Sequence, residues 1–164
     1  MKAPRFALLG VGLVALVSFS SGCNKETPAA PATTTTPKHE HKPPHGGTAV
    51  ALGDEVYHLE LVRDAAAGTL QAFILDGEME NFIRSAAPWF EVVATVDGAP
   101  QTLVFKPIAN AATGETIGDT SLFEAQAGWL KTAADFDAVL KSIAIRGSTF
   151  SDVKFNFPKG NDKD

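Results

Sequence analysis

The chain has 164 residues and a formal net charge of −5, with 19 Asp+Glu against 14 Lys+Arg and a single cysteine. An acidic chain without a basic cluster argues against nucleic-acid binding. One cysteine excludes an internal disulfide framework.

Residues 1–22 read as a signal peptide. Lys2 and Arg5 form a positive start, Phe6 to Phe19 is an unbroken apolar and small-residue run, and Ser20-Ser21-Gly22 leads into Cys23. The run is shorter than the roughly 20 apolar residues that a bilayer-crossing helix needs. The stretch Phe19-Ser20-Ser21-Gly22-Cys23 resembles the bacterial lipobox, with Ser20 at the position usually held by leucine. That resemblance implies cleavage before Cys23 and acylation of its thiol, so a lipid anchor supplies the membrane affinity. Asn24 follows the cysteine rather than an aspartate. Lipoprotein sorting as generally understood then favours the outer membrane, with the protein facing the periplasm. Removing Lys2 and Arg5 leaves 12 basic against 19 acidic side chains.

Residues 23–46 are a Pro-, Thr- and His-rich segment that cannot bury enough apolar surface to fold, and they read as a spacer. From residue 47 to 158 the texture is that of a β-domain, and 159–164 reads as a polar tail. Strands are predicted at Tyr57–Arg63, Leu70–Asp76, Trp89–Val96, Gln101–Phe105, Ser142–Arg146 and Val153–Phe157, between Gly, Asp and Pro turn signals. Phe90, Val92, Ala94 and Val96 alternate with polar residues, as do Val153, Phe155 and Phe157. This period-2 pattern means one packed and one wet face. The only helical candidate is Thr132 to Leu140, with Thr132 or Asp135 as cap. The fold class is therefore mainly β, a small β-sandwich or partly open barrel with at most one short helix. Trp89 and Trp129 are expected in the core rather than on a sugar-binding surface.

All four histidines lie between positions 39 and 58. His39 and His41 form a His-x-His pair in the spacer, and His45 precedes Gly46-Gly47. On the strand Tyr57–Arg63, His58 and Glu60 share one face with Val56 and Val62, while Tyr57, Leu59 and Leu61 face the core. A five-residue loop Asp64–Gly68 would set Arg63 opposite Thr69 and Val56 opposite Asp76, so that Asp76 lies diagonal to His58. A divalent transition-metal site built from His45, His58, Glu60 and Asp76 follows, with His39 and His41 as further candidates. Imidazole and carboxylate donors suit zinc, copper or nickel; Cu(I) would need Met79. The competing reading has His58 half-exposed and solvated or bonded to Glu60, and Asp76-Gly77 as a simple turn.

The residues Pro44-His45-Gly46-Gly47, Val50 to Gly53, Tyr57-His58-Leu59-Glu60-Leu61-Val62 and Phe73-Ile74-Leu75-Asp76 resemble a β-module associated with periplasmic heavy-metal efflux adaptors. The resemblance covers about a quarter of the chain. It implies a periplasmic β-domain with a metal connection, and a metal-efflux or other envelope protein as partner. The coiled-coil hairpin and lipoyl-type domain of those adaptors have no counterpart here.

No catalytic motif is complete, and the chain reads as a non-enzyme. His39-Glu40-His41 would need a second histidine at Pro43 to form a metalloprotease helix, and the local prolines forbid that helix. Gly114 to Ser121 lacks the lysine of a phosphate loop and reads as a surface turn. Two functions remain: a membrane-anchored metal-binding lipoprotein, or an envelope interaction module that binds a protein partner without a metal.

Overall fold

The computed structural model describes residues 41–162. The predicted signal peptide, Cys23, His39 and the last two residues lie outside them. The fold is mainly β: eight strands form one antiparallel sheet, nearly closed into a barrel. The strands are β1 (Thr48–Leu52), β2 (Tyr57–Asp64), β3 (Thr69–Asp76), β4 (Phe90–Val96), β5 (Ala99–Pro107), β6 (Leu122–Gln126), β7 (Phe136–Ile145) and β8 (Ser148–Phe157). They lie in the order β1-β2-β3-β6-β5-β4-β7-β8. No helix among the described residues is long and apolar enough to cross a membrane.

Alternation builds the interior. Phe90, Val92 and Ala94 of β4, Leu103 and Phe105 of β5, and Phe155 and Phe157 of β8 are all buried. Phe90 stacks on Phe105 with ring centres 4.7 Å apart and meets Phe123 of β6 at 5.2 Å. Two-residue turns set the register of two hairpins. Asp97-Gly98 joins β4 to β5 with both residues at positive φ, 50° and 78°. That geometry matches the twist of paired strands.

Three expectations change. No helix forms over Thr132–Leu140: a short 3-10 turn, Gly128–Lys131, precedes it, residues 132–135 form no regular element, and β7 begins at Phe136. Phe136, Ala138 and Leu140 are buried at alternate positions, so burial at period two overrides the local cap-like residues. Strands β1 and β6 were not expected. Trp89 is 54% exposed, and it lines a shallow surface depression together with Val104 and Ile117. Trp129 is partly buried, edge-on to Phe136 at 5.2 Å.

The residues 108–121 between β5 and β6 fold around the buried carboxylate of Glu115. Its Oε1 accepts from Ser121 N at 2.8 Å and Ser121 Oγ at 2.6 Å, and its Oε2 accepts from Thr113 Oγ1 at 2.7 Å. Burial pushes the Glu115 carboxyl up, but these hydrogen bonds and the nearby Arg84 guanidinium outweigh it and hold it below its ordinary 4.5. A depressed folded value contributes stability above the unfolded pKa, lost as pH falls through the folded one. Glu115→Gln is accordingly expected to flatten the fall in unfolding free energy below about pH 4.5, measured by urea titration across pH. An acid limb identical to that of the parent chain would contradict this role.

Candidate metal centre

The outer face of β1, β2 and β3 positions the site. Ala51 pairs with His58 and Ala49 with Glu60 across β1 and β2, while Leu75 and Phe73 flank them on β3. Two alanines beside the larger side chains leave room above the sheet. Residues 41–47 and the tail after β8 occupy that room, so His58 and Glu60 are both 0% exposed. This face was expected to be half-wet, and its burial removes the solvated reading of His58. Residues 41–46 and 159–162, assigned by composition to spacer and tail, thus pack against the β-domain.

Glu60 and His45 form one unit. The Glu60 Oε1 accepts from His45 N at 2.7 Å and Gly47 N at 2.9 Å, while its Oε2 meets His45 Nδ1 at 2.7 Å. The His45 ring stacks on Phe73, with centres 4.1 Å apart. Glu60 therefore holds the turn at residues 43–46 down on the sheet, with both oxygens engaged.

Asp76 is turned away from this face. The β2–β3 register pairs Asp64 with Thr69 and Tyr57 with Asp76, one residue off the expected pairing. A one-residue slip sends side chains to the opposite face. The loop contains four residues rather than five because Asp64 stays in the strand and its Oδ1 accepts from Ala66 N and Ala67 N. Asp76 instead caps the turn that follows it: Oδ1 accepts from Glu80 N at 2.9 Å and Oδ2 from Asn81 Nδ2 at 2.6 Å. Burial raises its carboxyl, but hydrogen bonds from Asn81 and Glu80 prevail and hold it below the ordinary value.

His58 is joined by two other residues. His41, from the start of the described chain, and Asp162, from its end, bring their donor atoms and that of His58 within 4.8 Å of one another. His41 Nδ1 is 2.9 Å from Asp162 Oδ2, and His58 Nε2 is 3.5 Å from the same oxygen. The two imidazole rings lie 4.6 Å apart at 55°. The His41 and Asp162 side chains are only 5% and 12% exposed. The backbone carbonyl of Asp76 lies 3.4 Å from His58 Nδ1. That contact favours the tautomer with the proton on Nδ1, leaving the Nε2 lone pair facing His41 and Asp162. His58 Nε2 is buried with no hydrogen-bond partner among the described residues.

Such an orphaned nitrogen costs free energy unless something fills its lone pair. Ligand atoms about 2.0–2.2 Å from a tetrahedral ion lie roughly 3.4 Å from each other. The separations around Asp162 Oδ2, 2.9 Å in its direct hydrogen bond with His41 and 3.5 Å to His58, bracket that spacing, and all three donors lie within 4.8 Å of one another. Two imidazoles and one carboxylate are donors suited to Zn²⁺, Ni²⁺ or Cu²⁺, with a fourth position left for water or another ligand.

Of the residues named from sequence, His58 and His41 converge, His45 and Glu60 pair with each other, and Asp76 contributes a backbone carbonyl. Asp162 was not anticipated. Its polar tail carried no local signal, since its partner His41 is 121 positions away. Fold and site together define a small antiparallel β-domain with a histidine–aspartate donor cluster where the two ends of its described chain meet. Comparison with protein-family models, with curated proteins and with solved structures gives no match to this chain.

Proposed function

We propose that this protein is a lipid-anchored, periplasm-facing envelope protein that binds a divalent transition metal through His41, His58 and Asp162, for buffering, delivery or as an accessory to efflux. The observation that carries the reading is the buried Nε2 of His58, which has no hydrogen-bond partner among the described residues and is aimed at a histidine and a carboxylate. The resemblance of Pro44 to Gly47 and Tyr57 to Val62 to the module of heavy-metal efflux adaptors points the same way. The signal-like segment ending at Cys23 is consistent with export to an envelope compartment.

Calorimetric titration of the full chain in detergent with zinc, copper and nickel tests it. Saturable 1:1 binding in the micromolar range or tighter is expected, and Asp162→Asn should weaken it by at least about tenfold, because an amide is a poorer donor than a carboxylate. Binding that this substitution leaves unchanged would move the site elsewhere, for instance to His39 and the spacer. Absence of binding would sink the reading.

A second reading rests on the exposed patch of Trp89, Val104 and Ile117, which suits an envelope protein partner. A partner cross-linked through Trp89 that a chelator does not release would favour it.

A further inference from the structure

The strand β1 ends the sheet, and its outer edge would offer unpaired backbone groups to solvent. The tail that follows β8 covers that edge. After Phe157 the chain folds back, Gly160 N donating to Asn156 O at 2.6 Å and Asn156 N to Gly160 O at 3.2 Å. It then runs against β1. Thr48 Oγ1 donates to Pro158 O at 3.1 Å, Ala51 N donates to Asn161 Oδ1 at 2.8 Å, and Asn161 Nδ2 donates to Ala51 O at 3.3 Å. A Cβ at Gly160 would fall 2.0 Å from Ala49 O, and its φ is +76°, so only glycine lets the tail approach this closely. The next residue beyond Asn161 is Asp162, one of the three donors.

We infer that residues 158–162 form a metal-dependent latch, in which an ion held by His41, His58 and Asp162 clamps the tail over the free edge of β1 and closes the sheet. Asn161 and Gly160 act as positioning residues: neither offers a ligand, but together they set where the Asp162 carboxylate stands. The inference rests on the metal reading above. It adds that ion binding and edge closure are a single equilibrium. Coupling of this kind is reciprocal, so whatever holds the tail down without touching the ion must raise metal affinity by the factor by which the ion holds the tail.

The test uses the full chain in detergent with Zn²⁺ as the probe. Amide exchange at Ala51 is measured with and without zinc, and zinc affinity is compared between the parent chain and Asn161→Ala. Zinc is expected to slow Ala51 exchange about tenfold or more, and Asn161→Ala to weaken zinc binding by a similar factor. With Co²⁺ as a spectroscopic substitute, the Asn161→Ala complex should keep the parent d–d band at saturation, because its donors are intact. Should the parent chain bind no zinc, the metal reading fails and the latch with it. Should zinc bind in a His58-dependent way while Ala51 exchange and the Asn161→Ala affinity both stay put, the metal site stands and the latch is overturned.

Discussion

Replacing His58 by alanine is expected to weaken zinc binding by at least about 100-fold, equivalent to about 2.8 kcal/mol. His58 is the most deeply placed of the three donors, at 0% exposure. It is also the one whose tautomer is set from behind, by the Asp76 carbonyl at 3.4 Å. His45→Ala is the sharp control. Its Nδ1 already serves Glu60 at 2.7 Å, and the ring stacks on Phe73, so its loss should leave zinc affinity within a few-fold. Zinc titrations of the two variants separate the structural site from the one drawn on spacing alone. Equal losses at both positions would restore His45 as a ligand, and no loss at His58 would remove the site. Because truncating a buried imidazole also leaves a void, melting with excess chelator should accompany the titration. The expected pattern is a zinc-induced stabilisation that vanishes in His58→Ala on top of whatever the metal-free domain loses.

Phe90→Ala is expected to cost about 3–5 kcal/mol of unfolding free energy, read from urea denaturation. Phe90 is 0% exposed at the centre of the β4–β5–β6 region, against Phe105 and Phe123. Its removal deletes aromatic contacts from two neighbours at once and leaves a hole that rigid strands close poorly. Phe82→Ala is the comparison, because Phe82 is 46% exposed, and a cost of about 1 kcal/mol or less is expected there. Similar costs at the two positions would mean that the aromatic cluster is not the core.

The elements visible in the sequence are those whose signals are local. Phe90–Val96 and Val153–Phe157 advertise their faces by alternation, and Asp97-Gly98 marks its turn with the residue types that positive φ requires. β1 escaped notice because Thr-Ala-Val-Ala-Leu is five residues long and half of it is small. The segment Thr132–Leu140 misled because Thr132 and Asp135 mimic helix caps, although Phe136, Ala138 and Leu140 already alternate. The site depended on one residue of register. Keeping Asp64 in the strand moved the Asp76 side chain off the His58 face, and only a tertiary contact between positions 41 and 162 supplied its replacement. His41 and Asp162 meet because residues 41–47 and 158–162 both fold over Ala49 and Ala51, and no short window of sequence carries that information.

The meeting of His41 with Asp162 also has a consequence for the unfolded chain. An ion bridging these two residues closes a covalent loop of more than a hundred residues, with His58 as an additional node. In the chain-entropy description, a cross-link closing a loop of about 100 residues removes roughly 4–5 kcal/mol of conformational freedom from the unfolded ensemble. A reversible metal bridge can deliver only as much as its affinity and the free ion concentration allow. The stretch 41–162 contains no cysteine. In such a stretch a metal bridge would do the work of a disulfide, opened and closed by the free ion concentration rather than by redox state.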